Sequence, residues 1–294
     1  MAMKLKLLLI FALLLSHLAG AEEIIVGPGD RIQDAIGILH WKADDNTIIN
    51  NIARENTYAG IALSEHCRNN TISGNSAVKS IPGDGIRVSG SNNAFVDNNA
   101  SDDNKIEGNN ASYNLFNGID LDDCRKNVVR ENRADYNEWG GIGHYFGCEE
   151  NSIEDNEVGY NTWAGITLGE CDGNVVTGNN ATRNVMGGIK LQGSYDNLLF
   201  HNDLVENAME GAAVKATSPL IESLLESAGD LRDERAKNAY DDAINQWDNG
   251  TTGNYFSDFD CTDSGGDGIC DSGHAIPGGE SVDRYPLARS KSSG

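Results

Sequence analysis

The sequence predicts an all-β fold, a parallel β-helix in which each turn of chain stacks on the one before. Three observations carry this. An Asn recurs at 46, 70, 93, 104, 127, 151, 174 and 197, at spacings of 23 or 24 apart from one 11-residue step. Two residues after each stands an apolar side chain (Ile48, Ile72, Phe95, Ile106, Val129, Ile153, Val176, Leu199), and five after each a second Asn (51, 75, 98, 109, 132, 156, 179, 202). Gly-Ile then recurs at 60, 85, 118, 141, 165 and 188, followed at the next alternate position by Leu63, Val88, Leu121, Leu168 and Leu191.

Apolar residues alternating over three or four positions, rich in Ile and Val and broken by Asn and Gly, read as short strands joined by tight bends. A unit of this length cannot bury its inward side chains alone, but it can when units coil and stack. Asparagine suits the bends because it tolerates a left-handed backbone, and its side chain can hydrogen-bond to the copy one rung away. Leucine-rich repeats would need Leu-x-x-Leu-x-Leu frames, which are absent. Seven or eight rungs at about 4.8 Å give a rod on the order of 35 Å long. The short step from Asn93 to Asn104 reads as a surplus half-turn that bulges outward, or as a break in the coil.

The other elements follow in order. Residues 1–21 place Lys4 and Lys6 before an apolar run from Leu7 to Leu15 and then Ala19-Gly20-Ala21, the layout of a secretory signal peptide, with an N-terminal anchor as the alternative. Residues 22–45 form an N-terminal cap: a strand, a Pro-Gly turn and an amphipathic helix begun near Asp30. Repeats occupy 46–217. The stretch 218–237, "SPLIESLLESAGDLRDERAK", has apolar residues at helical spacing and reads as a helical insertion. Residues 238–289, rich in Gly, Asp and aromatics, close the rod, and 290–294 form a tail.

Charge excludes one class of partner. The chain carries −23, and loss of the leader with Lys4 and Lys6 leaves 20 basic against 45 acidic residues, so nucleic acid is a poor partner. No apolar run after the leader approaches the length of a membrane span. The mature protein is expected outside the cell or on its surface. There its cysteines can oxidise, and Cys261 and Cys270, close together in a Gly/Asp-rich segment, are expected to pair.

Stacking makes matching residues of successive units neighbours. Two residues before the repeating glycine stand Tyr58, Phe116, Trp139 and Trp163, a stripe that either stacks on sugar rings or packs beneath a bend. The outward position between Ile and Leu holds Arg87, Asp120 and Lys190, with Asp122 and Glu170 nearby. Paired carboxylates suit glycoside hydrolysis, and a base beside a cation suits a lyase; the alternative is a solvated charged face. Cys67, Cys124, Cys148 and Cys171 share one position, fit for disulfides, a soft metal such as copper(I), or an inward column of small apolar groups. His144 stands where other units have Leu or Val. Asp263, Asp267 and Asp271 among glycines match part of a calcium loop, or form a turn without a cation.

"IIVGPGDRIQDAI", the Asn/Gly-Ile units and above all "NAYDDAINQWDNGTTGNYFSDFDCTDSGGDGICDSGHAIPGGESVDRYPL" resemble the NosD-like right-handed β-helix proteins, many of them secreted by archaea. The N-terminal part is shorter than usual for that family, and the helical stretch is not a usual feature. The resemblance implies a right-handed coil and, through the family's name, copper handling; related β-helices include polysaccharide lyases and epimerases. Residues and resemblance together lead to three expectations: an exported scaffold that binds a polysaccharide or cell-surface glycan, a polysaccharide lyase, hydrolase or epimerase, or a copper-handling accessory protein.

Overall fold

The structure is a computed structural model and describes residues 36–41, 44–56, 59–64, 67–80, 83–89, 102–208 and 238–291. The leader, Tyr58, the surplus segment around Asn93 and Asn98, and the helical stretch 218–237 lie outside these residues.

Among the described residues every named element is a strand, and nearly all of them pair in parallel. Three sheets run along a solenoid. The long sheet has eight strands: Ile36–Trp41, Ala59–Ser64, Asp84–Ser89, Ile119–Asp122, Ile142–Tyr145, Ala164–Gly169, Gly187–Gln192 and Ala239–Asp241. The second has seven, from Thr47–Ile49 to Leu198–Phe200. The third begins with Ile52–Arg54 and Ser76–Val78, passes through single bridges at Asn110 and Arg133, and continues as Glu157–Gly159, Asn180–Thr182, Asp203–Val205 and Tyr255–Phe256.

One expectation needs correcting. Residues 36–41, assigned to an N-terminal helix, are the first strand of the long sheet, with Ile38 opposite Ile61 and His40 opposite Leu63. Ile36, Ile38 and His40 fall on the same alternation as the strand that follows, so this segment continues the period of two and docks on the coil's open edge.

The core is built of columns of identical or nearly identical side chains. Ile61, Ile86, Ile119, Ile142, Ile166 and Ile189 line the long sheet, and Ile48, Ile72, Ile106, Val129, Ile153, Val176 and Leu199 the second, all essentially inaccessible to solvent. On the third sheet the inward residues are mostly small, Ala53, Ala77, Ala111, Ala134 and Ala181, with Val158 and Leu204 in the same column. That corner is narrow, which explains the recurring glycine. A Cβ on Gly118 would lie 2.4 Å from the Ala111 carbonyl oxygen and 2.7 Å from the Ala134 Cβ.

The bends hold three asparagine ladders. Asn46, Asn70, Asn104, Asn127, Asn151, Asn174, Asn197 and Asn245 form the first. Asn51, Asn75, Asn109, Asn132, Asn156, Asn179, Asn202 and Asn254 form the second. The third, ten residues after the first, runs Ser80, Asn114, Asn137, Asn161, Asn184, Asn207 and Asn238. In each rung the side-chain oxygen accepts both the backbone N–H and the side-chain amide of the rung before, as Asn156 does from Asn132 at 3.0 Å twice. The remaining amide hydrogen goes to a core strand's carbonyl, Asn156 Nδ2 to Val129 at 2.9 Å. Burial of so many amides is tolerable because nearly all their donors and acceptors are paired.

The ladder asparagines are not themselves the left-handed residues. The positive φ falls one position earlier, at Asp45, Asn50, Asn69, Tyr113, Lys126, Glu131, Asp155, Arg183 and their equivalents, or at glycines such as Gly74 and Gly178. Left-handed turning aims the next side chain inward, and Asn is there for its amide. The surplus segment does not break the coil, because Asn70 Nδ2 bonds directly to Asn104 at 3.0 Å and Asn75 Nδ2 to Asn109 at 3.0 Å.

At the C-terminal end each ladder meets a different acceptor. Asn245 N donates to Ser281 Oγ at 3.1 Å, Asn254 N to Asp283 at 2.7 Å, and Asn238 Nδ2 to Asp258 at 2.6 Å. Trp247, fully buried, donates its indole N–H to Asp241 at 2.9 Å. The Cys261–Cys270 disulfide forms as expected, with Cα atoms 5.3 Å apart.

Candidate functional site: the outward face of the long sheet

Parallel register sets the outward residues of the long sheet in line. Ala62 is opposite Arg87, Arg87 opposite Asp120, Asp120 opposite Gly143, Gly143 opposite Thr167, Thr167 opposite Lys190, and Lys190 opposite Tyr240. Of the catalytic candidates, Arg87, Asp120 and Asp122 come together. The Arg87 guanidinium lies 2.5 Å from Asp122 and 3.8 Å from Asp120, and also 3.5 Å from Asp84. Asn117 bonds to both remaining acids: its Nδ2 donates to Asp120 at 2.7 Å, and its backbone N–H to Asp84 at 3.0 Å.

One guanidinium therefore serves three carboxylates, and their protonation reflects it. Burial pushes Asp84 up to about 6, against the pull of Arg87. Burial pushes Asp120 well above the usual carboxylate range, with the charges of Asp84 and Asp122 adding to it. Asp122 is also raised by burial, with Arg87 opposing. Perturbation of this kind, from desolvation together with specific neighbours, is a mark of functional clusters as well as of structural ion pairs.

Tyr145 extends the group. Its ring lies over Gly143, where a Cβ would meet Tyr145 Cε2 at 2.4 Å, and beside Gly169. Burial raises its phenol, whose hydroxyl stands near Thr167, Trp139 and Asn117. No bond of acceptable geometry reaches Thr167 Oγ1, however, which is buried without a partner.

Of the aromatic stripe, Trp139 and Trp163 stack with centroids 4.8 Å apart and planes within 3°. Each thus covers a face of the other. Trp163 is 7% exposed and packs with Met186, while Phe116 is half-buried on the rung before Trp139. Lys190 is buried with its Nζ 5.0 Å from the Trp163 ring and 5.2 Å from that of Tyr240. Glu170 stands apart, exposed on a left-handed bend.

Sequence reasoning missed Asp84, Asn117 and Tyr145. The first two were signalled: the residue before the repeating glycine is Gly140, Ala164 and Gly187 in later units, but Asp84 and Asn117 in earlier ones. A second ring stack, Tyr113, Tyr136 and Tyr160 at 5.1 and 4.8 Å, was also missed, although its spacing matches the repeat.

The other candidates lie elsewhere. Cys67, Cys124, Cys148 and Cys171 form no disulfide and are fully buried, the Sγ atoms of Cys124 and Cys148 being 3.7 Å apart. Burial raises Cys124 and keeps it a neutral thiol, and it lowers His144, whose ring nitrogens have no partners. In the C-terminal loop Asp263 accepts the N–H groups of Gly266 and Gly268, Asp267 that of Ile269 and Asp271 that of Ser264. These carboxylates are turned onto the loop's own backbone. Among the described residues no group of three or more His, Cys, Asp or Glu is arranged to hold a metal ion.

Stacked three-sided rungs, asparagine ladders and an outward face with aligned charged and aromatic groups define a parallel β-solenoid protein. The chain belongs to the family described as periplasmic copper-binding protein (NosD), whose model matches residues 29–100 and 98–218. No curated protein sequence matches it. Among solved structures it is similar to the periplasmic alginate epimerase AlgG, at 19% identity and TM-score 0.54, over 60% of this chain and 44% of that one. It is also similar to the A-module of the Azotobacter vinelandii mannuronan C-5 epimerase AlgE4, at 17% identity and TM-score 0.51, over 60% of this chain and 52% of that one. The chain thus spans about half the length of these proteins. At such identities the likeness is one of fold. Among the described residues the family's copper finds no fitting donor set: the thiols run in single file along the stack, and His144 is sealed in the core.

Proposed function

We propose that this is an exported polysaccharide-binding β-solenoid, with the sugar chain lying along the outward face of the long sheet. The observation that carries the reading is the register itself. Arg87, Asp120, Tyr145, Thr167, Lys190 and Tyr240 stand on successive or near-successive rungs beside the Trp139–Trp163 stack. Rungs repeat at about 4.8 Å, close to the advance of one pyranose in an extended chain, so each rung can address one sugar. The half-buried Trp139 and Tyr145 offer apolar contact, and the partly exposed Arg87 and Asp122 offer hydrogen bonds. Export is supported by the leader-like residues 1–21, by the Cys261–Cys270 disulfide and by a family described as periplasmic. No helix among the described residues is long and apolar enough to cross a membrane.

A second reading, a lyase or epimerase on the same face, is supported by one observation: the raised carboxyls of Asp84 and Asp120 stand beside Arg87 and the Tyr145 phenol. Proton transfer at a carbon next to a carboxylate requires a base to take the proton, a cation to hold the carboxylate and an acid to return a proton, parts that an ionised Asp122, Arg87 and the neutral Asp120 or Tyr145 would play. A glycan array probed with the purified chain, followed by assays for unsaturated or epimerised product on each hit, separates the two. Binding that drops with Trp139→Ala supports the face, and product formation favours the enzyme. Undiminished binding by Trp139→Ala moves the sugar elsewhere.

A further inference from the structure

The sequence carries Asn-x-Ser/Thr at Asn69, Asn99, Asn110, Asn180 and Asn249, the triplet through which an exported chain accepts an N-linked sugar. A chain this rich in asparagine produces the triplet freely, so the fold decides which copies can be used. We infer that Asn249 is a glycosylation site, and that its sugar stands on the corner of the rod away from the candidate binding face. The inference shares the expectation of export with the proposed function and takes nothing from the glycan-binding reading.

Three of the other copies are built into the coil. Asn70, the middle residue after Asn69, is buried and donates both its backbone N–H and its Nδ2 to Asn104 at 3.0 Å. Ser112, the hydroxyl of the Asn110 copy, is buried and accepts the Asp135 N–H at 3.1 Å. Asn180 begins a strand that is paired on both sides, with Glu157 and with Asp203. A transferase must hold amide and hydroxyl at once, so each of these would first have to leave its rung. Asn99 lies outside the described residues.

Asn249 is placed otherwise. Asn249, Gly250 and Thr251 are all exposed, and a Cβ built on Gly250 would meet nothing within 4 Å. Thr251 Oγ1 donates to Asn249 Oδ1 at 2.8 Å, and the backbone N–H groups of Thr251 and Thr252 reach the same oxygen at 3.0 and 2.9 Å. Amide and hydroxyl therefore already stand side by side. Among the described residues Asn249 Nδ2 donates no hydrogen bond, so nothing is broken when it reacts. The tip is anchored on both sides: Arg284 binds Asp248 at 2.6 and 2.9 Å, and Thr252 Oγ1 lies 2.7 Å from His201 Nε2. Gln246 pairs with Leu198 of the second sheet and Tyr255–Phe256 closes the third, so this connection turns the corner between those two sheets. The long sheet is the remaining side of the rod.

The co-reactant is an oligosaccharide carried on a lipid phosphate. Asn249 Nδ2 bonds to the sugar's C1, the C1–O bond to phosphate breaks with its electron pair left on the phosphate, and one Nδ2 hydrogen departs as a proton. No oxidant or reductant takes part.

The test is transfer in vitro to the folded full chain, using a single-subunit oligosaccharyltransferase that reads Asn-x-Ser/Thr alone, its lipid-linked donor and a triplet-bearing control peptide. Peptide mass mapping should find the sugar on Asn249, at least about tenfold faster than on any other copy, since those wait on local opening of the coil. A digest of the chain cut outside the triplets should lose that preference. Thr251→Val removes one exposed hydroxyl and should abolish transfer with Tm unchanged, whereas Thr251→Ser should restore it. Modification of the control peptide but not of Asn249, equal transfer to Asn69 or Asn110 on the folded chain, or transfer that survives Thr251→Val overturns the inference. An empty glycan array bears on the binding face and leaves these outcomes as they are.

Discussion

Replacing Asn156 by Ala tests whether the asparagine ladders hold the solenoid together. Its Oδ1 accepts two bonds from Asn132 at 3.0 Å, and its Nδ2 donates to Val129 O at 2.9 Å and to Asn179 Oδ1 at 2.8 Å. Alanine removes all four and leaves the Asn132 backbone N–H and one of its two side-chain amide hydrogens buried without an acceptor, the other still bonding to Ile106 O at 2.9 Å. Each lost bond is worth about 1 kcal/mol net, and each buried orphan adds about 1–3 kcal/mol. Counting the two bonds donated by Nδ2 at about 1 kcal/mol each and the two orphaned donors at about 1–3 kcal/mol each, a loss of about 4–8 kcal/mol follows, a large share of the roughly 5–15 kcal/mol that holds a typical domain. Asn46 is the comparison: it starts its ladder and gives up only its bonds to Asp44 and Asn70, at 2.9 and 3.0 Å. Asn46→Ala should therefore lose about 1–2 kcal/mol. Urea denaturation followed by far-ultraviolet circular dichroism measures both. If the two variants fall within about 1 kcal/mol of each other, the ladders are ornaments on a fold held by its apolar columns alone.

Three further outcomes are expected. Asp283 is raised to about 7 and Asp84 to about 6 by burial, each from a usual 3.8. Their contribution to stability is full below about pH 4 and is lost as pH climbs through 6 and 7, on the order of 4 kcal/mol for Asp283. Thermal melts should therefore give a higher Tm at pH 5 than at pH 8, and the reverse order would mean that both carboxyls are ionised at ordinary values. Gly143→Ala drives a methyl into the Tyr145 ring and should displace that side chain for about 1–3 kcal/mol, weakening glycan binding more than it lowers Tm. Unaltered affinity would take Tyr145 out of the binding face. Replacing Cys261 and Cys270 together by Ser opens a cross-link spanning nine residues and should lower stability by about 2–3 kcal/mol, read as a fall in Tm that reductant reproduces in the parent.

What the sequence made legible was whatever repeats. The Ile columns, two of the ladders and the Trp139–Trp163 stack all follow from a fixed offset, because a coil converts period into proximity. The third ladder was equally periodic. It escaped because its asparagines follow unremarkable residues such as Tyr113 and Arg183, which make the left-handed turn that asparagine had been credited with. The N-terminal helix was misread because Ile36, Ile38 and Leu39 satisfy helical and extended spacing alike. The site was only partly visible. Arg87 and Asp120 share an offset, but the surplus segment sets them 33 positions apart, where the adjoining steps are 25 and 23. That hides the facing of Asp84 and Asn117. Tyr145 is beyond pattern reading, since its placement depends on the missing side chain of Gly143.

The three ladders stop at Ser281, Asp283 and Asp258, none of which passes an amide onward. Growth of the stack is thus ended by chemistry at one end, not by running out of pattern. An intermediate unit could then be deleted or duplicated without disturbing the terminator. The molecule is in this sense a ruler, whose number of graduations sets the length of its outward face.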